Sequence, residues 1–139
     1  MTSSPPSKTV WPTLVYRDAP AAIAFLVDVL GFEDVLVVPG EQPGVVEHAQ
    51  LRWPEGGGVM LGTHGREGNE FSQRPTGAGS VYVVTDELDR VHDSCHAAGC
   101  AFVREMRTED YGGGSRGFSV RDPEGNVGWV AAQFLLPVP

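Results

Sequence analysis

Hydrophobic residues follow a strand-like and then a helix-like period at the start of this chain. The run from about Val10 to Tyr16 is short and mostly apolar, which predicts a strand. A helical pattern then begins at Asp18, which can serve as an N-cap, and stops at Gly31, which can end a helix in the left-handed conformation. One face of this predicted helix carries only apolar side chains: Ala22, Ile23, Leu26, Val29 and Leu30.

The later apolar runs predict three strands, a second strand and helix, and three further strands. Residues 65–79 are rich in Gly, Arg, Asn, Ser, Gln and Pro, which predicts a linker between the two groups. The second helix has an apolar side formed by Leu88, Val91, Cys95 and Ala98. The expected organisation is an unstructured tail over 1–8, one module over 9–64, the linker over 65–79, a second module over 80–134 and a short tail over 135–139.

A short motif recurs at an offset of 69 residues. Leu51-Arg52-Trp53-Pro54-Glu55-Gly56 returns as Val120-Arg121-Asp122-Pro123-Glu124-Gly125, with four identities in six residues. Each Pro-Glu-Gly lies between strand-like runs, so both copies predict the turn of a β-hairpin. Such turns are common and coincidence is the alternative, but the two helical patterns begin at nearly the same offset. The chain therefore reads as two copies of one unit.

These stretches resemble the vicinal-oxygen-chelate superfamily, which contains glyoxalase I, extradiol dioxygenases, epimerases, fosfomycin-modifying enzymes and bleomycin-resistance proteins. The most specific stretch is Phe118-Ser119-Val120-Arg121-Asp122-Pro123-Glu124-Gly125-Asn126, and the weaker ones are Leu14–Asp18, Leu30–Phe32 and Val81–Asp89. The resemblance covers the chain from about Val10 to Phe134. It implies an α+β fold in which two βαβββ modules curl a mixed sheet into a cup that holds the ligand.

The charge and the cysteines of the chain indicate which binding partners and which cellular compartment to expect. The 139 residues carry a net charge of −8, spread over both halves, with no basic patch for nucleic acid. No apolar run approaches the ~20 residues of a membrane span, and the polar N-terminus does not resemble a signal peptide. Cys95 and Cys100 are expected to be reduced thiols. We therefore expect a cytoplasmic protein with no nucleic-acid or membrane partner.

In catalytic members, the resemblance implies a divalent metal held by His, Gln or Glu from the first and last strands of each module. The repeat places the corresponding positions at Trp11, Met60, Ser80 and Trp129. An indole offers no lone pair and a thioether is a poor ligand for such ions, so we expect neither a metal nor another cofactor. An alignment slip is the alternative, in which case Glu47 or His48 could supply a ligand.

Strand alternation predicts the wall of the cup. If Trp11 faces inward, Thr13 and Val15 share its face, and the same parity places Ser80, Tyr82 and Trp129 inside. Two indoles and a phenol suit a flat aromatic ligand, and indole faces also attract cations. The alternative is that these aromatic residues fill the cup as core.

Other polar residues are weaker candidates. His92 and His96 stand one helical turn apart, which is metal-ligand spacing, but Asp89 and Asp93 beside them favour a solvated helix face.

His48, Gln50 and Arg52 share one strand face, and whether that face looks into the cup stays open. Tyr111 borders a glycine-rich connection that could close over a ligand, with a plain hairpin loop as the alternative.

The favoured hypothesis is a non-catalytic protein similar to the bleomycin-resistance branch, a homodimer that sequesters a flat aromatic or cationic small molecule such as an antibiotic. No residue is assigned a catalytic role. Two alternatives stay open. One is a glyoxalase-type lyase, dioxygenase or epimerase, which is metal-dependent if the ligand placement is wrong and metal-free if it uses His48 or Glu47; the other is an accessory binding domain. The predicted ligand-binding residues are Trp11, Thr13, His48, Met60, Ser80, Tyr82, Tyr111 and Trp129.

Overall fold

The chain folds as two βαβββ units, which confirms the predicted α+β class. The computed structural model describes residues 9–110, 113–127 and 129–135. Module 1 contains β1 (Thr13–Tyr16), α1 (Ala19–Ala24) continued by a π-helix (Phe25–Leu30), β2 (Glu33–Pro39), β3 (Val46–Arg52) and β4 (Gly58–Thr63). After a 3-10 turn at Glu70–Gln73, module 2 contains β5 (Val81–Val84), α2 (Leu88–Ala97), β6 (Phe102–Glu109), β7 (Ser115–Val120) and β8 (Trp129–Phe134).

Each module has its own four-stranded mixed sheet. The strand orders are β1-β4-β3-β2 and β5-β8-β7-β6. In both sheets the first strand pairs in parallel with the last, whereas the remaining pairs are antiparallel. The two sheets are therefore built on one plan, as the internal repeat predicts. No helix in the described part of the chain has the length and apolar character needed to cross a membrane.

The first helix begins and ends where the sequence predicts, but its second half is wider than an α-helix. The Asp18 carboxylate caps it by accepting from the Ala21 N–H at 3.1 Å, and Gly31 ends it with φ at 99°. The Gly31 N–H donates to Leu26 O, an i→i+5 bond. The wider turn changes the buried face: Phe25 is buried, whereas Ile23 and Val29 are only partly buried.

The two modules share one hydrophobic core. Phe32 of module 1 lies 4.9 Å from Trp53 and 5.8 Å from Trp129 of module 2, measured between ring centroids. The helices touch as well, since Ser94 Oγ donates to Val29 O at 2.7 Å. Burial of these faces fixes the modules against each other.

The repeated turn motif holds each module to the other. The Glu124 carboxylate accepts from the Arg17 and Asp18 N–H groups at 2.7 Å each, where α1 begins. Its counterpart Glu55 accepts from the Asp86 N–H at 3.0 Å, just before α2. The repeat is therefore a pair of inter-module contacts related by the internal symmetry.

A one-residue difference separates the two hairpins. Leu51 pairs with Val59 and Val120 pairs with Trp129, and all four are buried. Seven residues lie between the first pair and eight between the second. The counterpart of Met60 in module 2 is consequently Val130, not Trp129, because a shift of one residue moves a strand side chain to the other face.

Candidate functional site

One face of the module 1 sheet is turned away from the shared core, on the side opposite α1. Leu14, Tyr16 and Leu61 point to the core, so the alternate residues of these strands form the opposite surface. Met60 pairs with Thr13 on one side and with Gln50 on the other, which brings three strands together. We call this surface the helix-free face of module 1; it is formed by Thr13, Val15, His48, Gln50, Met60 and Gly62.

A cavity of about 250 Å³ lies on this face. It brings together Thr13, His48 and Met60, three of the residues predicted to bind a ligand. The strand carrying His48, Gln50 and Arg52 turns this side toward the cavity, although the Arg52 guanidinium itself pairs with Glu33 at 2.9 Å.

The linker supplies a wall of the same cavity. Arg66, Phe71 and Arg74 line it, and Phe71 leaves 76% of its surface exposed. Ser72 anchors the segment, because it is fully buried and its Oγ accepts from the Arg66 N–H at 2.9 Å. No periodicity or motif indicates that this polar stretch folds back on β1, so these residues are not among the predicted ones.

The charged groups around the cavity are held in fixed positions. Arg66 donates from Nε to Thr63 O at 2.9 Å and pairs with the Glu47 carboxylate at 3.2 Å. Gly62 leaves room for it, since a Cβ there would lie 2.7 Å from an Arg66 nitrogen. Arg74 donates to Thr13 O at 3.2 Å. With two arginines against one glutamate, the lining favours a neutral or anionic ligand group over a cation.

His48 is half-buried and hydrogen-bonded within the face. Its Nε2 lies 2.9 Å from Gln50 Oε1, two residues along the same strand. When the Gln50 carbonyl accepts from Nε2–H, the imidazole lone pair is on Nδ1. In that tautomer, Nδ1 is the nitrogen that can accept a hydrogen bond.

The module 2 residues of the predicted cup line a different cavity. Ser80, Tyr82 and Val84 border a cleft of about 400 Å³ between β5 and the β3–β4 hairpin. Tyr82 is 48% exposed and stacks on Phe134, with ring centroids 6.3 Å apart. The two cavities share no lining residue, so one chain does not unite the two halves of the predicted wall.

Trp129 does not face a cavity, which corrects the predicted orientation. It is 2% exposed, packs edge-on against Phe32 and donates from Nε1 to the Asp122 carboxylate at 3.0 Å. The cause is the extra residue in the second hairpin, which places Trp129 level with Val81 on the core side.

The last two predicted residues have separate outcomes. The Trp11 ring lies over Gly58 at the start of β4, where a Cβ would collide with it, and is half-buried. Tyr111 lies outside the described residues.

Among the residues that the structure describes, one group of three His, Cys, Asp or Glu side chains is close enough to hold a metal ion: His92, His96 and Glu105. It borders neither cavity.

Comparison with known proteins agrees with this architecture. A model of the Glyoxalase/Bleomycin resistance protein/Dioxygenase superfamily matches residues 8–130. The chain belongs to this superfamily. No match was found among curated protein sequences.

Several solved structures are similar to this superfamily member. TioX from Micromonospora sp. ML1 is 26% identical, with a TM-score of 0.72 over 91% of this chain and 100% of that one. A glyoxylase/bleomycin resistance protein/dioxygenase domain from Frankia sp. EAN1pec is 17% identical, with a TM-score of 0.65 over 92% of each chain. The fosfomycin resistance protein FosX from Listeria monocytogenes is 16% identical, with a TM-score of 0.59 over 94% of this chain and 95% of that one. The last two likenesses concern the fold alone.

Proposed function

We propose that this superfamily member is a non-catalytic, cytoplasmic protein that binds a small molecule on the helix-free face of module 1. The observation that carries the proposal is the cavity in which Met60 and Phe71 meet the anchored Arg66 and Arg74. An apolar surface with a few fixed polar groups is typical of small-molecule sites. The positions that correspond to the superfamily's metal ligands also support binding without a metal. Val130 takes the position that the sequence assigned to Trp129, and its side chain has no lone pair either.

The lining supports a flat, partly aromatic ligand with an acceptor or anionic group. Met60, Val15 and Phe71 offer apolar contact, and Phe71 can stack on a ring. The arginines offer donors to an oxygen-bearing group, so an anionic aromatic compound fits better than the cationic one predicted from the sequence. Sequestration of an antibiotic is the cellular role that we propose for this binding.

We further propose that two copies of the chain complete the site. A cavity of about 250 Å³ is smaller than the ~300–1,000 Å³ of usual ligand pockets. The Tyr82 and Val84 side chains of module 2 are 48% and 41% exposed on their own helix-free face. In the proposed homodimer, this module 2 face of one copy covers the module 1 face of the other.

Light scattering after size-exclusion chromatography tests the dimer. We expect twice the chain mass for the native protein and a monomer for Val84→Arg, because a charge on this face would be buried without a partner. Val127→Arg, at a 41% exposed residue outside both cavities, is the matched control and should stay dimeric. A monomeric native protein would overturn the proposed dimer but not the binding site.

Fluorescence titration with 8-anilinonaphthalene-1-sulfonate, a flat aromatic sulfonate, tests the site. We expect saturable binding of one probe per chain, weakened roughly fivefold in Phe71→Ala if one stacking contact of about 1 kcal/mol is lost. Leu36→Ala, which shortens an exposed side chain on β2, should bind as the native protein does. Circular dichroism melts confirm that each variant is folded. Equal binding by Phe71→Ala and native protein would contradict the proposed location.

An enzyme of the same superfamily is the second candidate, favoured by the orientation of His48. In the tautomer in which Gln50 Oε1 accepts from His48 Nε2–H, the lone pair on Nδ1 could remove a proton from a bound ligand without a metal. Glyoxalase, extradiol dioxygenase and epimerase assays, each run with Fe²⁺, Mn²⁺, Ni²⁺, Co²⁺ or Zn²⁺ and with none, decide between the two. Turnover that is lost in His48→Ala, in a variant that still binds the fluorescent probe, would replace the binding proposal with catalysis.

A further inference from the structure

Two histidines of α2 and a glutamate of β6 converge on the outside of module 2. His92 and His96 are four residues apart on the helix, so their side chains lie on one side of it. Glu105 Oε1 lies 3.3 Å from His92 Nε2 and 3.6 Å from His96 Nε2. A ligand atom from each of the three residues lies within 4.8 Å of the others.

These distances fit a tetrahedral metal ion. Zinc binds imidazole nitrogen and carboxylate oxygen at about 2.0–2.1 Å, which places neighbouring ligand atoms of a tetrahedron about 3.3–3.4 Å apart. Both measured distances to Glu105 Oε1 are within a few tenths of an ångström of that edge. The ligand atoms of the two histidines lie within 4.8 Å of each other, so side-chain rotations would complete the tetrahedral edges.

Aromatic packing fixes the two imidazole rings. His96 stacks on Phe102 with ring centroids 4.3 Å apart, and His92 meets Phe118 edge-on at 4.9 Å. The side chain of His92 is 19% exposed, so the solvated helix face expected from the sequence is wrong at this residue. His96 and Glu105 are 51% and 62% exposed, which gives an ion a path to the site.

The neighbouring carboxylate of the helix is engaged elsewhere. Asp89, one turn before His92, accepts from the Arg116 guanidinium at 2.8 Å, and this bond lowers the pKa of Asp89. The Asp89 carboxylate is thus already paired, and two nitrogens and one oxygen form the ligand set.

We propose that His92, His96 and Glu105 form a site for a divalent transition metal such as Zn²⁺, with water at the fourth position. Imidazole suits zinc, copper and nickel, whereas magnesium and calcium prefer all-oxygen sites. The bound ion would join α2 to β6, which is an edge strand of its sheet. This site is independent of the proposed ligand cavity, because the two have no residue in common.

An ion pair between protonated histidine and Glu105 is the alternative account of the same contacts. The two accounts differ in one respect: an ion pair needs no metal, whereas the proposed site should bind one ion per chain. Chelator-treated, untagged protein titrated with zinc chloride at pH 7.5 in a calorimeter separates them.

The variants His96→Gln and Glu105→Gln each remove one ligand at an exposed position. We expect each to weaken zinc binding at least tenfold. Mutating a residue that only hydrogen-bonds to a metal ligand already lowers metal affinity by roughly 10–100-fold. Native protein should also melt at a higher temperature with zinc than without it, and His96→Gln should lose that increase. His92 is avoided, because its packing makes a folding defect hard to separate from lost binding.

His48→Gln and His64→Gln are the matched controls, since each removes an imidazole elsewhere. Both should bind zinc as the native protein does. The proposal is overturned if native protein binds no zinc, or if His96→Gln and Glu105→Gln bind it as tightly as the controls. A loss confined to His48→Gln would move the metal to the ligand cavity and overturn the proposed site as well.

Discussion

Asp122 is the residue on which the contact between the modules depends. Its carboxylate is 6% exposed and accepts from Tyr16 OH at 2.6 Å, from Trp129 Nε1 at 3.0 Å and from Asn126 Nδ2 at 2.7 Å. Those three bonds are made by Oδ2. The other carboxylate oxygen, Oδ1, accepts from the Glu124 and Asn126 backbone N–H groups at 3.0 Å each. Five donors satisfy one buried charge, which is the condition for burying it at all.

Replacing Asp122 by Asn should lower the free energy of unfolding by roughly 2–4 kcal/mol. The amide presents an N–H₂ group where donors already converge, so at least one buried donor loses its acceptor. Tyr16→Phe removes one of the five donors and should lower stability by only about 1 kcal/mol. Urea denaturation of both variants measures the difference. Equal losses would contradict the role of the carboxylate as the common acceptor.

Stability should fall as the pH rises above about 10, the ordinary pKa of tyrosine. Burial raises the pKa of Tyr16, and the Asp122 charge adds to the effect. The native state therefore keeps the phenol protonated after the unfolded chain has begun to ionise, so the unfolded state loses protons first and is favoured. Thermal melts between pH 8 and pH 11 measure this. Tyr16→Phe should show a weaker pH dependence than the native protein, and an equal dependence would contradict this role of Tyr16.

The two tryptophans that the sequence placed together should behave differently. Trp129→Ala should lower stability by about 3–5 kcal/mol, because it opens a cavity in the shared core. Trp11→Ala, at a half-buried ring over Gly58, should lower it much less. Denaturation curves of both variants test this, and a mild loss for Trp129→Ala would contradict the core position.

At the scale of elements, the turn glutamates should contribute unequally. Glu124 accepts two N–H groups at the start of α1, where an acidic group also favours the helix dipole, whereas Glu55 accepts one. Glu124→Gln should lower stability by about 1 kcal/mol, and Glu55→Gln by less. Chemical denaturation at low salt measures both. A larger loss for Glu55→Gln would contradict the assignment.

The elements were largely predictable because periodicity and caps are local signals. Asp18, Gly31 and the Pro-Glu-Gly turns lie where the sequence indicates. Strand orientation was predictable only up to the second hairpin. Its additional residue turns Trp129 into the core and Val130 away from it. The repeat alone does not reveal an insertion that falls after the motif. The π-helical turn after Ala24 changes the buried face in the same way, without a local signal.

At the scale of the molecule, the sequence predicted two modules but not how their surfaces meet. Thr13, His48 and Met60 come together because they occupy neighbouring strands of one sheet, which is a short-range consequence of register. The separation of Ser80 and Tyr82 into another cavity depends on how the modules dock. The wall formed by residues 66–74 depends on a segment whose sequence has no periodicity. Neither this wall nor the separate cavity could therefore be predicted from the hydrophobic pattern.

The contact of Tyr16 with Asp122 has a consequence for synthesis of the protein. The two residues are 106 positions apart, and Arg17 is 107 positions from the Glu124 carboxylate that its N–H meets. A ribosome making roughly 5–20 residues per second needs some 5–20 s to add the missing acceptors. During that interval β1 has been synthesised, but the Asp122 and Glu124 carboxylates have not. Contacts between residues this distant in sequence also form slowly. The nascent first half is therefore the stage at which this protein needs protection from aggregation.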